Sequence, residues 1–359
     1  MTSILLFDDI QEELDQIKAE LNNILRNSTE VVDFSPNSQP SGGESYDQYV
    51  SDWIEELAKT KDVGLIACDK ELGRYRTLPG FSATPVSAVA QQKGIPFCQY
   101  SRQAGDEERD FANYNRLQRW SSEEITLEGI EPKSWAGQIA ALFQGFQTIR
   151  NEYQQGLVAR TPAAALATIL GRADEESRIS LFGSGGQGFL IETLAFYDPE
   201  APDKHLVTKR MPRVLGNWLY LSILRFPGIV LNEVAAASYL NINETDFANP
   251  AVQALFQDAK YKGPFWELGP WWWRSLLDQN LDEAESDDGK EIAAKHDIEV
   301  AECLDPDNGA RSGFYCMLTR KPVSLENSRG GISWFPAGAD LARIRKDKFD
   351  EITALVGMY

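Results

Sequence analysis

Four oxygen-bearing side chains stand directly after apolar runs in the first third of the chain. Asp8 and Asp9 follow the run Ser3 to Phe7, Asp69 follows Val63 to Cys68, and Ser101 follows Ile95 to Tyr100. Carboxylates are the ligands that a hard divalent cation such as Mg²⁺ takes, and two or three suffice because the ion keeps several waters. Taken singly, each aspartate has a plainer role: Asp8 or Asp9 can cap the helix that follows, and Asp69 can simply end a strand. Their chemistry depends on whether the fold brings them together.

The apolar pattern predicts a fold that does. Ser3 to Phe7, Val31 to Phe34, Val63 to Cys68, Ile95 to Tyr100 and Glu124 to Leu127 read as strands. Between them the spacing turns helical. Leu14, Ile17, Leu21, Ile24 and Leu25 mark one helix, Tyr49, Trp53, Ile54 and Leu57 a second, and Val86, Val89 and Ala90 a third that closes at Gly94. A charged helix is expected from about Glu107 to Trp120, and a long one from Trp135 to Tyr153. Residues 35–44 are rich in Ser, Pro and Gly and read as a surface loop. Strands alternating with helices predict a doubly wound, five-stranded parallel sheet over residues 1–155. Ligands of such sheets sit beyond the carboxyl ends of the strands. Asp8, Asp9, Asp69 and Ser101 all stand there.

In this pattern the first domain resembles the receiver domains of two-component response regulators. Ile4-Leu5-Leu6-Phe7-Asp8-Asp9 is similar to the first strand and its acidic pair. Leu65-Ile66-Ala67-Cys68-Asp69 is similar to the third strand and its phosphoacceptor, and Pro96-Phe97-Cys98-Gln99-Tyr100-Ser101 to the fourth strand and its phosphoryl-sensing hydroxyl. The resemblance implies a flavodoxin-like fold and Mg²⁺ held by Asp8, Asp9 and Asp69. It also implies a phosphoryl group accepted on Asp69 from a histidine kinase and sensed by Ser101. The chain departs from the family in two places. The stretch from Asp9 to Asp69 is long, which the 35–44 loop accounts for. The family's lysine at the end of the fifth strand is missing: this strand ends Thr126-Leu127-Glu128-Gly129, and the nearest candidate is Lys133. Without that contact, the domain would be a degenerate receiver that docks a partner without phosphorylation.

Residues 156–359 are expected to form a mostly helical α+β domain. Helices are expected over Ala159 to Ala173, Leu215 to Leu224, Leu231 to Leu240, Pro250 to Tyr261, Trp271 to Leu281 and Ala339 to Val356. Paired strands are expected at Gly313 to Thr319 and Pro322 to Leu325. After a strand-like run at Ile179 to Phe182, Gly183, Gly185 and Gly188 fit the G-x-G-x-x-G of a dinucleotide loop. That would make this half a nucleotide-using effector enzyme, although no acid for the ribose is evident. His296, Cys303 and Cys316 are three soft ligands without the paired spacing of a zinc site, and buried free thiols fit better. Residues 229–247 have a helix-turn-helix outline but lack flanking Lys and Arg. Trp271, Trp272 and Trp273 cannot all be buried on one helix face, which predicts that one of them faces an interface.

Composition narrows the classes. A net charge of −19 and a pI of about 4.6 repel nucleic acid and anionic membranes, so neither is an expected partner. No apolar run is long enough to span a bilayer, the first residues lack the pattern of a secretory signal, and four cysteines make no disulfide framework. A cytoplasmic signalling protein is the resulting expectation.

Overall fold

Five short apolar runs do become the strands of one sheet. The computed structural model describes residues 2–26, 29–36, 45–75, 77–102, 124–129, 131–154, 159, 161–183 and 204–356, without the side chains of 102, 204–209 and 353–356. The strands are β1 (Thr2–Phe7), β2 (Thr29–Asp33), β3 (Asp62–Asp69), β4 (Phe97–Arg102) and β5 (Ile125–Gly129). All neighbours pair in parallel, in the order β2-β1-β3-β4-β5. This is a flavodoxin-like α/β sheet.

Among the described residues, four helices flank it: α1 (Gln11–Leu25), α2 (Tyr46–Ala58), α3 (Ala83–Lys93) and α4 (Pro132–Gln154). Side chains alternate between the two faces along a strand, so each face needs its own cover. Leu5, Phe7, Ile66 and Cys68 join one core with Val50 and Ile54 of α2 and Val86 and Val89 of α3. Ile4, Leu6, Leu65 and Ala67 are the alternating set, all fully buried, and α1 and α4 pack together with Leu14, Ile17, Leu21, Ile139, Leu142 and Phe146 inside. The crossover helices end as the sequence indicates: α3 stops at Gly94 in the left-handed region (φ 70°), where a side chain would be strained. The expected Glu107–Trp120 helix and most of the 35–44 loop lie outside the described residues.

The chain divides into two compact units. The sheet, α1 to α4 and the helix Lys204–Trp218 as far as Asn217 belong to the first. The second unit holds helices Pro162–Ile169, Glu176–Ser180, Glu233–Tyr239, Glu244–Phe247, Pro250–Leu255, Arg274–Glu283, Gly289–Lys295 and Lys346–Val356. It also holds an antiparallel pair, β6 (Val230–Asn232) with β7 (Trp271–Trp273), and a four-stranded sheet. In that sheet β10 (Ser328–Arg329), β11 (Ala342–Arg345), β8 (Phe314–Cys316) and β9 (Pro322–Val323) are neighbours in that order.

Several expectations are corrected here. Trp271 to Trp273 form a strand, not the start of a helix, and their alternating indoles are all buried (8, 0 and 6 % exposed). All three indoles are buried within the chain, so none is left exposed for contact with another protein. The run at Ile179 to Phe182 is helical, so no strand leads into the glycine-rich segment. Gly183 closes a short 3-10 turn, and Gly185 and Gly188 lie outside the described residues. The segment 229–247 opens as strand β6, and its last helix has only four residues, too short for a recognition helix. The final helix begins at Lys346, after β11.

Gly228 follows Phe226 and Pro227 at a close approach of two backbones. A Cβ there would lie 2.0 Å from the Gly338 carbonyl oxygen and 2.8 Å from the Phe182 ring. Gly228→Ala is therefore expected to destabilise the second unit by about 1–3 kcal/mol or more through overpacking. Urea unfolding of the two proteins checks it; equal midpoints would contradict the packing described.

Candidate metal centre

The β1–β3 register decides the site. Leu6 pairs with Ala67 and Phe7 with Cys68, so the next residues along each strand, Asp8 and Asp69, leave the sheet level with one another. These two strands are the neighbours between which the chain order reverses, where doubly wound sheets open a crevice. One carboxylate oxygen from each of Asp8, Asp9 and Asp69 lies within 4.8 Å of the other two. Among the described residues no other group of three His, Cys, Asp or Glu side chains converges this way.

Local contacts fix each acid but leave acceptor capacity free. Asp8 is 3 % exposed; it accepts the Ile10 N–H at 2.8 Å at the head of α1 and the Tyr100 hydroxyl at 2.9 Å. Asp9 Oδ2 accepts the Arg74 N–H, while its buried Oδ1 has no hydrogen-bond partner. Asp69 accepts the Glu71 N–H at 3.3 Å. Tyr75 donates to the Asp8 carbonyl at 2.7 Å and lays its ring against Phe34 and Phe81, which ties the loop after β3 to the loop after β1.

Among the described residues this charge is uncompensated. Among the described residues no Lys, Arg or His nitrogen comes within 4 Å of these three carboxylates. Burial pushes the Asp69 carboxyl up to about 7, with the charge on Asp8 next in weight. Burial likewise pushes Asp8 up to about 6, against the opposing hydrogen bonds from Ile10 and Tyr100. Glu13, 7 % exposed in the first turn of α1, adds to the repulsion on both. Three hard oxygen donors, crowded charge, no ion-paired cation and an orphan carboxylate oxygen are the donor set that a divalent cation such as Mg²⁺ fits.

Ser101 ends up 8 % exposed near the end of β4, one residue beyond Tyr100, which is level with Asp69. Its Oγ has no hydrogen-bond partner among the described residues. Lys133 lies in the first turn of α4, exposed and without an ion pair among the described residues. At the end of β5 a side chain would be crowded. A Cβ on Gly129 would lie 2.8 Å from the Trp135 indole nitrogen. Trp135 packs on Tyr100 with ring centroids 5.3 Å apart. The indole thus fills the space at the strand end and reaches Asp8 through the Tyr100 hydroxyl. Tyr100, Trp135, Tyr75 and Glu13 are the site residues that the sequence reading missed.

No family model, curated protein or solved structure matches this chain. His296, Cys303 and Cys316 do not come together with a further ligand among the described residues, and all four cysteines are free and buried.

The raised carboxyls give a signed pH effect. A group whose pKa is higher folded than unfolded holds its proton preferentially in the folded state. Metal-free stability from Asp8 and Asp69 is thus fully present below about 4 and is lost as pH rises to about 7. In EDTA, the Asp69→Asn protein should gain on the wild type progressively over that window. A stability difference that does not change with pH would contradict the burial and repulsion described.

Proposed function

We propose that this chain is a receiver-type signalling protein whose Asp69 accepts a phosphoryl group from the phosphohistidine of a histidine kinase. The observation that carries this reading is the convergence of Asp8, Asp9 and Asp69 at the β1/β3 crevice, with no cation paired to them among the described residues. Asp8, Asp9 and Asp69 would hold Mg²⁺. A bound Mg²⁺ supplies the positive charge that offsets repulsion between a carboxylate nucleophile and the phosphoryl oxygens.

The chain's own residues do the rest. A deprotonated Asp69 oxygen attacks phosphorus in line; an O–P bond forms, the P–N bond of the phosphohistidine breaks, and its electron pair leaves with the imidazole. Tyr100 holds Asp8 in place through its hydroxyl. Ser101, whose buried hydroxyl has no hydrogen-bond partner among the described residues, would donate it to a phosphoryl oxygen. The modification would then change contacts with a partner, and a protein of this kind can also serve as a phosphate sink in a defence or stress system.

The test is incubation with Mg²⁺ and acetyl phosphate followed at once by intact mass. The wild type is expected to gain one phosphoryl group, and Asp69→Asn and EDTA-treated protein none. A second reading, a docking module that is never phosphorylated, is favoured by one observation: β5 ends in Gly129 packed against Trp135, with no lysine there. An unmodified wild type that still binds Mg²⁺ would select it.

A further inference from the structure

The opposite end of the same sheet carries a cavity of about 680 Å³ whose charge runs against that of the chain. Asp62, Val63 and Gly64 at the start of β3 and Ile95 and Pro96 just before β4 form part of its wall. Asp62 and Asp69 are the two ends of the eight-residue β3, so the cavity and the acidic cluster lie roughly 20 Å apart. Five cations line it, Lys61, Lys93, Arg150, Arg210 and Arg213, against two carboxylates, Glu55 and Asp62. The chain as a whole carries −19.

Lys93, Arg150 and Lys61 are paired, but loosely. Lys93 meets Glu55 at 2.6 Å, Arg150 meets Asp62 at 2.8 Å, and Lys61 meets Glu30. The acids in these pairs are about half exposed or more. Such exposed pairs are worth about 0–1 kcal/mol and exchange readily for a better anion. Basic residues where α2 and α3 end also balance the negative ends of those helices. Arg210 comes from the separate helix Lys204–Trp218; it donates to the Gln92 carbonyl at 3.1 Å and has no carboxylate partner among the described residues. It adds charge beyond what the helix ends need. The floor is apolar, from Ile54, Val63 and Phe146. The volume falls within the roughly 300–1,000 Å³ typical of small-molecule sites.

We propose that this cavity binds a small phosphate-bearing organic anion, with its phosphates on Arg210 and the neighbouring cations and its organic body on the apolar floor. The site is independent of the Asp69 chemistry. The probe is ADP, titrated calorimetrically into the full chain in EDTA, with adenosine and inorganic phosphate as the two half-ligands. ADP is expected to bind saturably, and each half-ligand at least about tenfold more weakly, because each lacks one set of contacts. Arg210→Glu should weaken ADP roughly tenfold or more, Glu55→Gln should tighten it, and Asp69→Asn should leave it unchanged. Absence of ADP binding at millimolar concentration, adenosine binding as tightly as ADP, or an affinity indifferent to Glu55→Gln would overturn the proposal. The Glu55→Gln arm decides the matter even where Arg210→Glu does not fold.

Discussion

Asp8→Asn is expected to make the metal-free protein more stable and to cripple its metal site. Asp8 is buried, is pushed up to about 6, and sits against Asp9 and Glu13 as well as Asp69. At pH above that value the wild type keeps a charge there at a cost that the amide does not incur. The shift corresponds to a gain of about 3 kcal/mol for the variant near neutral pH. The amide oxygen can still accept the Ile10 N–H, so the head of α1 is preserved. For a divalent cation the sign reverses. Losing one of three carboxylate donors should weaken Mg²⁺ on the order of 100-fold, the scale of a strong charged contact of about 3 kcal/mol. Thermal unfolding with and without Mg²⁺ checks both halves: Mg²⁺ should raise the wild-type midpoint and leave that of Asp8→Asn nearly unmoved. A variant that loses stability in EDTA, or that responds to Mg²⁺ like the wild type, would contradict the arrangement.

One residue earlier the expected effect has the opposite sign. Phe7 is fully buried, stacks on Phe34 at 4.5 Å between centroids, and meets the edge of Trp53 at 5.7 Å. Phe7→Ala removes the ring and leaves a cavity between β1, β2 and α2, a loss of about 3–5 kcal/mol. Folded domains are stable by only about 5–15 kcal/mol, so much of the first unit's margin would go. Hydrogen exchange of the β1 amides in native conditions measures it directly; protection reduced by less than a factor of ten would show that the core does not rest on this ring. The contrast between adjacent residues separates the two demands on β1. Up to Phe7 the strand is core, and from Asp8 onward it is a site held at some expense of stability.

What was legible in the sequence follows from that same contrast. Apolar runs that stop at an acid or a hydroxyl mark a buried strand and its carboxyl end, and Asp8, Asp9, Asp69 and Ser101 were readable on that basis. The five-stranded parallel sheet was readable too, because strand and helix periods alternate cleanly through α3. The second unit gave less. Its strands have two to four residues, too few to show a period of two. Trp271 to Trp273 therefore look like the head of the following helix, although β6 pairs with them and buries them in alternation. The missing lysine of β5 could be seen as an absence, but the crowding at that strand end could not. Trp135 meets Gly129 and Tyr100 through tertiary packing, and no local pattern marks that contact.

The claim that Asp69 is a phosphoacceptor in a metal-dependent site has one direct chemical test. Protein treated with Mg²⁺ and acetyl phosphate is reduced with borohydride, which converts an aspartyl phosphate to homoserine, and its peptides are mapped by mass. The account predicts homoserine at position 69 and nowhere else, and none when Mg²⁺ is withheld. A fully unreduced Asp69, or homoserine at Asp8, Asp9 or another acid instead, would contradict it.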